Sequence, residues 1–238
     1  MARTMRAIPP LSPWALPLVA GLLPFAATAL AFWISVTQET IAACNPFVEG
    51  CVSISRAARY GLANHVFRAL VLPAAVLQGL TWLLCVPWLR GLGAQGRSLA
   101  WLPWLGAAAA AFLVLYGTFL GTEGDAYRWM RRYGIVGYFG GTFLCMLVAG
   151  GHLRHLATGE GGKLPARVGG ALLAMLALLL VMGLANVFVP QFLGDDDFKN
   201  RLENVLEWHA GALFTAWFLV LAWLWRHTRY RISTGLGA

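Results

Sequence analysis

Long apolar runs, free of charge and broken by short polar pieces, predict the elements of this chain. A spanning helix needs about 20 mainly apolar residues. Six stretches meet that need: Trp14–Val36, Val66–Trp88, Ser98–Thr122, Tyr133–Gly151, Val168–Leu193 and His209–Trp225. Barrel strands would alternate apolar and polar positions with period two. These runs are continuous, so helices are expected. The chain therefore reads as an all-α polytopic membrane protein, a single transmembrane domain over 1–238 with six transmembrane helices and short loops. Its basic start and Ala29-Leu30-Ala31 resemble a cleaved leader, whose apolar region spans about 7–15 residues. Here the run continues through Phe32, Trp33 and Ile34. A retained first span is expected.

The polar remainder predicts an orientation. With Met1 in the cytoplasm, segments 1–13, 89–97, 152–167 and 226–238 hold ten Lys or Arg and one acid, Glu160. The other nine acids and eight basic residues lie towards the opposite face. Lys and Arg accumulate on the cytoplasmic side, so both termini are expected there, in the cell's inner membrane, with the longer polar loops outside. The tryptophans fit interfacial belts: Trp14, Trp88, Trp101 and Trp225 at inner ends, Trp33, Trp129 and Trp208 at outer ends. Cys44 and Cys51 share the first outer loop, where an oxidising compartment favours a disulfide over two free thiols. Cys85 and Cys145 fall inside spans and read as small buried apolar residues.

Composition sharpens the class. Only 12% of residues are charged, against about 25% in soluble domains. The net charge of +8 is spread in short pieces between spans and comes with no recognition motif, so nucleic acid is not an expected partner. Membrane lipids are, with another membrane protein as the further possibility.

Candidate chemistry gathers on the outer side. The first outer loop carries Ser53, Ser55, Arg56 and Arg59; the second packs Glu123, Asp125, Arg128, Arg131 and Arg132 into ten residues. Arginines suit phosphate, and carboxylates suit hydroxyls or amines. Arg56, Arg59, Glu123, Arg128, Arg131 and Arg132 thus form a candidate headgroup-binding rim, with a salt-bridged, solvated set of loops as the plainer reading. Asp195–Asp197 precede Phe198, Leu202, Val205 and Leu206, and read as a helix start rather than a cation site. That helix is expected to lie on the outer surface and then turn into the last span.

Other chemistries are weaker. Ser53 or Ser55 with His65, Asp125, Glu207 and His209 would supply a lipid hydrolase or acyltransferase with a nucleophile, base and carboxylate. The bland alternative is polar helix ends meeting water. His65 with His209, or His152 with His227, would be haem ligands in an electron carrier, although all four sit at span ends. No cofactor or metal is expected, the His152/His155 pair included. Gln78 and Asn186 are the notable polar residues inside the spans, and either would bond a neighbouring helix. Gly117/Gly121 and Gly137/Gly141 have GxxxG spacing on consecutive spans, which suggests close packing there.

The arrangement resembles the Frag1/DRAM/Sfk1 family of six-span membrane proteins. The likeness rests on Ser53-Ile54-Ser55, Gly61 and Val66-Phe67 after the loop cysteines, and on Glu207-Trp208 opening the last span. The chain departs from the family pattern at Leu62-Ala63-Asn64, where a proline is expected, and at Arg56, where an aspartate is common. The resemblance implies a role in membrane lipid organisation or remodelling, and no particular reaction.

Overall fold

The computed structural model describes residues 12–159, 164–192 and 195–232. Arg3, Arg6, Glu160, Lys163 and Leu193, used above for charge and span limits, lie outside these residues. The helices are α1 (Ala15–Thr37), α2 (Ile54–Ala57), α3 (Gly61–Gly91), α4 (Leu102–Phe119), α5 (Asp125–Thr158), α6 (Ala166–Phe192) and α7 (Asp196–His227). A 3-10 turn, Arg97–Ala100, leads into α4. Every expected span has its counterpart, and among the described residues six helices are long and apolar enough to cross a membrane. Each long helix packs on the next in sequence, and α7 packs back on α1 to close the ring.

The helices outrun the apolar stretches that predicted them. Thus α5 has 34 residues, because its polar ends stay helical beyond the apolar part. The last helix also differs from expectation. Asp195 does cap its start, its side chain accepting the Asp197 N–H at 2.9 Å. However, α7 then runs unbroken for 32 residues and makes no turn into the last span. No glycine or proline interrupts it between Phe198 and His209, and its first turns have a surface of their own to grip, described below.

Inside a bilayer, helices associate through close packing and polar contacts rather than by leaving water. Both devices are visible. The α4–α5 seam runs along Gly134, Gly137 and Gly141, which face Tyr116, Phe112 and Ala109. The expectation for α5 holds, but Gly117 faces Leu72 and Val71 of α3 instead, and Gly121 lies in the turn after α4 at φ +85°. Polar contacts cluster around Pro24. A proline in mid-helix has no N–H for the carbonyl four residues earlier, which leaves Ala20 O without its helical donor. Gln78 Nε2 donates to that oxygen at 3.1 Å. The hydroxyl of Thr215 reaches Gly21 O, next along, at 3.3 Å. Gln78 therefore bonds a neighbouring helix as expected, whereas Asn186 is exposed on α6.

The tryptophan belts need correction. Trp33, Trp101 and Trp129 are exposed, but Trp88, Trp208 and Trp225 are buried. They are tied inward: Trp88 Nε1 donates to Thr228 Oγ1 at 3.0 Å, and Trp225 packs edge-on against Tyr230. Position near a span end says nothing about which face of the helix a side chain occupies. Cys85 and Cys145 are buried, as expected.

Candidate functional site

One end of the bundle holds Cys44 and Cys51, which form a disulfide with Cα atoms 6.6 Å apart. The loop they close is gripped by the start of α7. Asn204 Nδ2 donates to Gly50 O at 2.7 Å, and Trp208 Nε1 donates to Val52 O at 2.9 Å. Gly50 lies at φ +61° directly against the Arg201 carbonyl, where a side chain would not fit.

Just beyond, the Ser53-Ile54-Ser55 turn becomes α2. The first N–H groups of any helix lack partners within it, and here each is met. Ser53 Oγ accepts from the Arg56 N–H at 3.2 Å. The Glu207 carboxyl takes the amides of Ile54 and Ser55. An acid so placed also complements the helix dipole. Ser53, Ser55 and Glu207 are thus brought together, with the two hydroxyls 3.2 Å apart. Their visible work is to join the first loop to the last helix.

The other proposed catalytic partners stand apart from this cluster. His65 is exposed on α3. The Nδ1–H of His209 donates to Val205 O in its own helix, and its ring meets Phe47 edge-on. Asp125 pairs with Arg128 at 3.3 Å, both highly exposed. Among the described residues, no hydrogen bond links either serine to a histidine. The histidines considered for haem are also engaged locally: His152 with Ser98 Oγ at 2.9 Å, and His227 stacked on Trp223. No group of three metal-ligating side chains occurs among the described residues.

The arginine rim is more coherent. Arg59, Glu123, Arg128 and Arg131 line one polar pocket of about 480 Å³, beside Tyr60 and the Gly121–Gly124 turn. Arg56 and Arg132 are exposed and lie outside its lining. Backbone ties hold the pocket together. Asn64 Nδ2 donates to both Ala58 O and Leu120 O, each at 3.0 Å, joining the start of α3 to the end of α4. Arg131 donates to Phe119 O at 3.3 Å and to Thr122 O, tying α5 to the same turn. Neither Arg59 nor Arg131 forms an ion pair with a carboxylate among the described residues, and Arg59 Nε is buried without an acceptor.

A second space lies within the bundle. It is a cavity of about 60 Å³ with mainly aromatic and aliphatic walls from α1, α3, α4, α5 and α7. Its polar lining includes Gln78, Tyr116, Tyr138, Glu207 and Thr215. Tyr138 hydrogen-bonds Gln78. Tyr116 is only 3% exposed, and its hydroxyl has no partner among the described residues. Sequence reasoning missed both tyrosines, because within apolar runs they count as ordinary aromatic residues. Gln78, polar in mid-span, was the signal that pointed here.

Comparison of the chain with family models, with curated proteins and with solved structures finds no match in any of the three.

Proposed function

We propose that this chain is a lipid-associated integral membrane protein, binding the phosphate of a lipid headgroup in the rim pocket of Arg59, Arg128 and Arg131. The observation that carries the reading is two arginines in one sizeable pocket with no carboxylate partner among the described residues. Guanidinium groups fit phosphate oxygens through paired N–H donors, and a pocket at the end of the bundle suits a headgroup. Ten basic residues against one acid on the opposite face favour an extracytoplasmic position for this rim. The disulfide at the same end agrees. The resemblance to the Frag1/DRAM/Sfk1 family supplies the same theme, lipid organisation or remodelling in a cell membrane. Binding is favoured over hydrolysis or acyl transfer because the candidate serines are occupied with capping α2 and with each other.

The test is native mass spectrometry of the purified full chain with its retained lipids. Arg59→Gln combined with Arg131→Gln should strip phospholipid from the protein, while Arg56→Gln with Arg132→Gln should leave it bound. Equal retention by both double variants, each shown to be folded, would sink the proposal.

A further inference from the structure

The geometry points to a second lipid site, at the end of the bundle opposite the disulfide. It is a pocket for the phosphate of an anionic phospholipid, one whose headgroup carries no cationic arm, and it is independent of the rim pocket. A space of about 580 Å³ lies between the end of α3, at Leu84, Pro87, Trp88 and Gly91, and the segment 228–232 that follows α7. Two ties build it. Trp88 Nε1 donates to Thr228 Oγ1 at 3.0 Å, and the Tyr230 hydroxyl donates to Leu84 O at 3.3 Å. Thr228 Oγ1 in turn donates to Leu224 O. The uncharged polar side chains of the lining are thus used within the fold. Arg229 and Arg231 remain, one on each side of the anchored Tyr230. Both are exposed, and neither pairs with a carboxylate among the described residues.

Arginine at this end needs no ligand to explain it, because Lys and Arg gather on one side of a membrane protein for topology alone. The backbone singles out Arg229. The Tyr230 N–H bonds Trp225 O at 2.9 Å and the Arg229 N–H bonds Arg226 O at 3.1 Å, the pattern that ends a helix through a left-handed residue. That residue is Arg229, at φ +50°. Glycine is the usual occupant, since a side chain there strains the backbone. Counter-charge for the helix dipole is already supplied in the last turn of α7 by Arg226 and His227. Strained residues cluster where they act on a ligand, and this one lines a pocket. The surrounding charge selects the headgroup. Among the described residues this end of the bundle has no Asp or Glu, so the ammonium of ethanolamine or choline would find arginines and no partner. A phosphodiester with an uncharged arm would meet two guanidinium groups and no repulsion.

The experiment offers the delipidated full chain in detergent equal amounts of dioleoyl phosphatidylglycerol and phosphatidylcholine, and native mass spectrometry reads the bound fractions. Phosphatidylglycerol should win by about tenfold or more, each arginine contributing about fivefold. Arg229→Gly should cut that ratio about fivefold while the Tm of the lipid-free protein holds or rises. Arg231→Gln, beyond the helix end, should cut it equally at unchanged Tm. Arg97→Gln with Arg154→Gln removes two exposed charges from the same end, outside the pocket, and should leave the ratio near that of the wild type. Arg59→Gln with Arg131→Gln should also keep it, which separates failure of the rim pocket from failure of this one. The pocket is overturned by a wild type without preference, or by a preference surviving both Arg229→Gly and Arg231→Gln. An equal loss in the Arg97 and Arg154 variant overturns it too, in favour of a diffuse basic surface. Glycerol phosphate, added without lipid, tests the source of the phosphate. A rise in Tm as large as phosphatidylglycerol gives would overturn the lipid as ligand; a smaller rise, or none, upholds it.

Discussion

The contact between Gln78 and the Pro24 kink lends itself to a quantitative test. Ala20 O lacks its helical donor because residue 24 is proline, and Gln78 Nε2 substitutes at 3.1 Å. Gln78→Leu would leave a carbonyl unpaired in an apolar interior, a loss of about 1–3 kcal/mol in soluble proteins. Hydrogen bonds between membrane helices average nearer 0.6 kcal/mol, with a maximum of roughly 1.7, so about 1 kcal/mol is expected for this one. The same substitution also removes the partner of Tyr138, which complicates a single variant. A double-mutant cycle removes the complication. Pro24→Ala returns an N–H in position to bond Ala20 O within α1. Gln78→Leu made in that background should cost about 1 kcal/mol less, since the Tyr138 loss is common to both arms and cancels. For a chain of this length the difference corresponds to a shift of about 2–4 °C in Tm, measurable by intrinsic fluorescence of the purified protein in detergent. If Gln78→Leu costs the same in both backgrounds, to within about 0.3 kcal/mol, the carbonyl is not what Gln78 serves.

The α4–α5 seam provides a matched pair of substitutions. Gly134→Ala would place a Cβ 2.8 Å from the Tyr116 backbone nitrogen and should destabilise by about 1–3 kcal/mol; Gly140→Ala, with nothing within 4 Å, should be neutral or stabilising by up to about 1 kcal/mol. Thermal unfolding of the two variants checks this, and a similar loss in both would contradict the packing described. Closing the Cys44–Cys51 loop should stabilise by about 2 kcal/mol. Reductant should therefore lower Tm in the wild type and have no effect on Cys44→Ser with Cys51→Ser; a reductant effect in that variant would place its origin elsewhere.

The spans could be read from the sequence because a bilayer imposes a length on each apolar run, and length survives without knowledge of neighbours. Partners do not. Glu207-Trp208 could be seen to open the last span, but nothing along the chain says that Trp208 reaches Val52 or that Glu207 reaches Ile54 and Ser55. The same blindness placed Trp88, Trp208 and Trp225 in belts when they face inward. The rim was partly legible, since clustered arginines are visible in any sequence. Which of them share a pocket depended on Asn64 and Gly121, residues with no charge to advertise them. Tyr116 and Tyr138 were hidden among hydrophobic neighbours. That the Tyr116 hydroxyl finds no partner among the described residues is a property of the assembled bundle alone.

The grip of α7 on the first loop has a consequence for how the protein is made. Asn204 and Trp208 hold carbonyls 154 and 156 residues earlier in the chain. At synthesis rates of about 5–20 residues per second, the first loop must wait roughly 8–30 s for the helix that clasps it. In that interval α1 and α3 can already associate, but the Ser53–Ser55 turn has no Glu207 to complete its cap. The disulfide needs nothing later than Cys51, so it can close the loop while the rest of the chain is still emerging. It would then act as a temporary brace, keeping Gly50 and Val52 in shape until the final helix is inserted and the ring shuts.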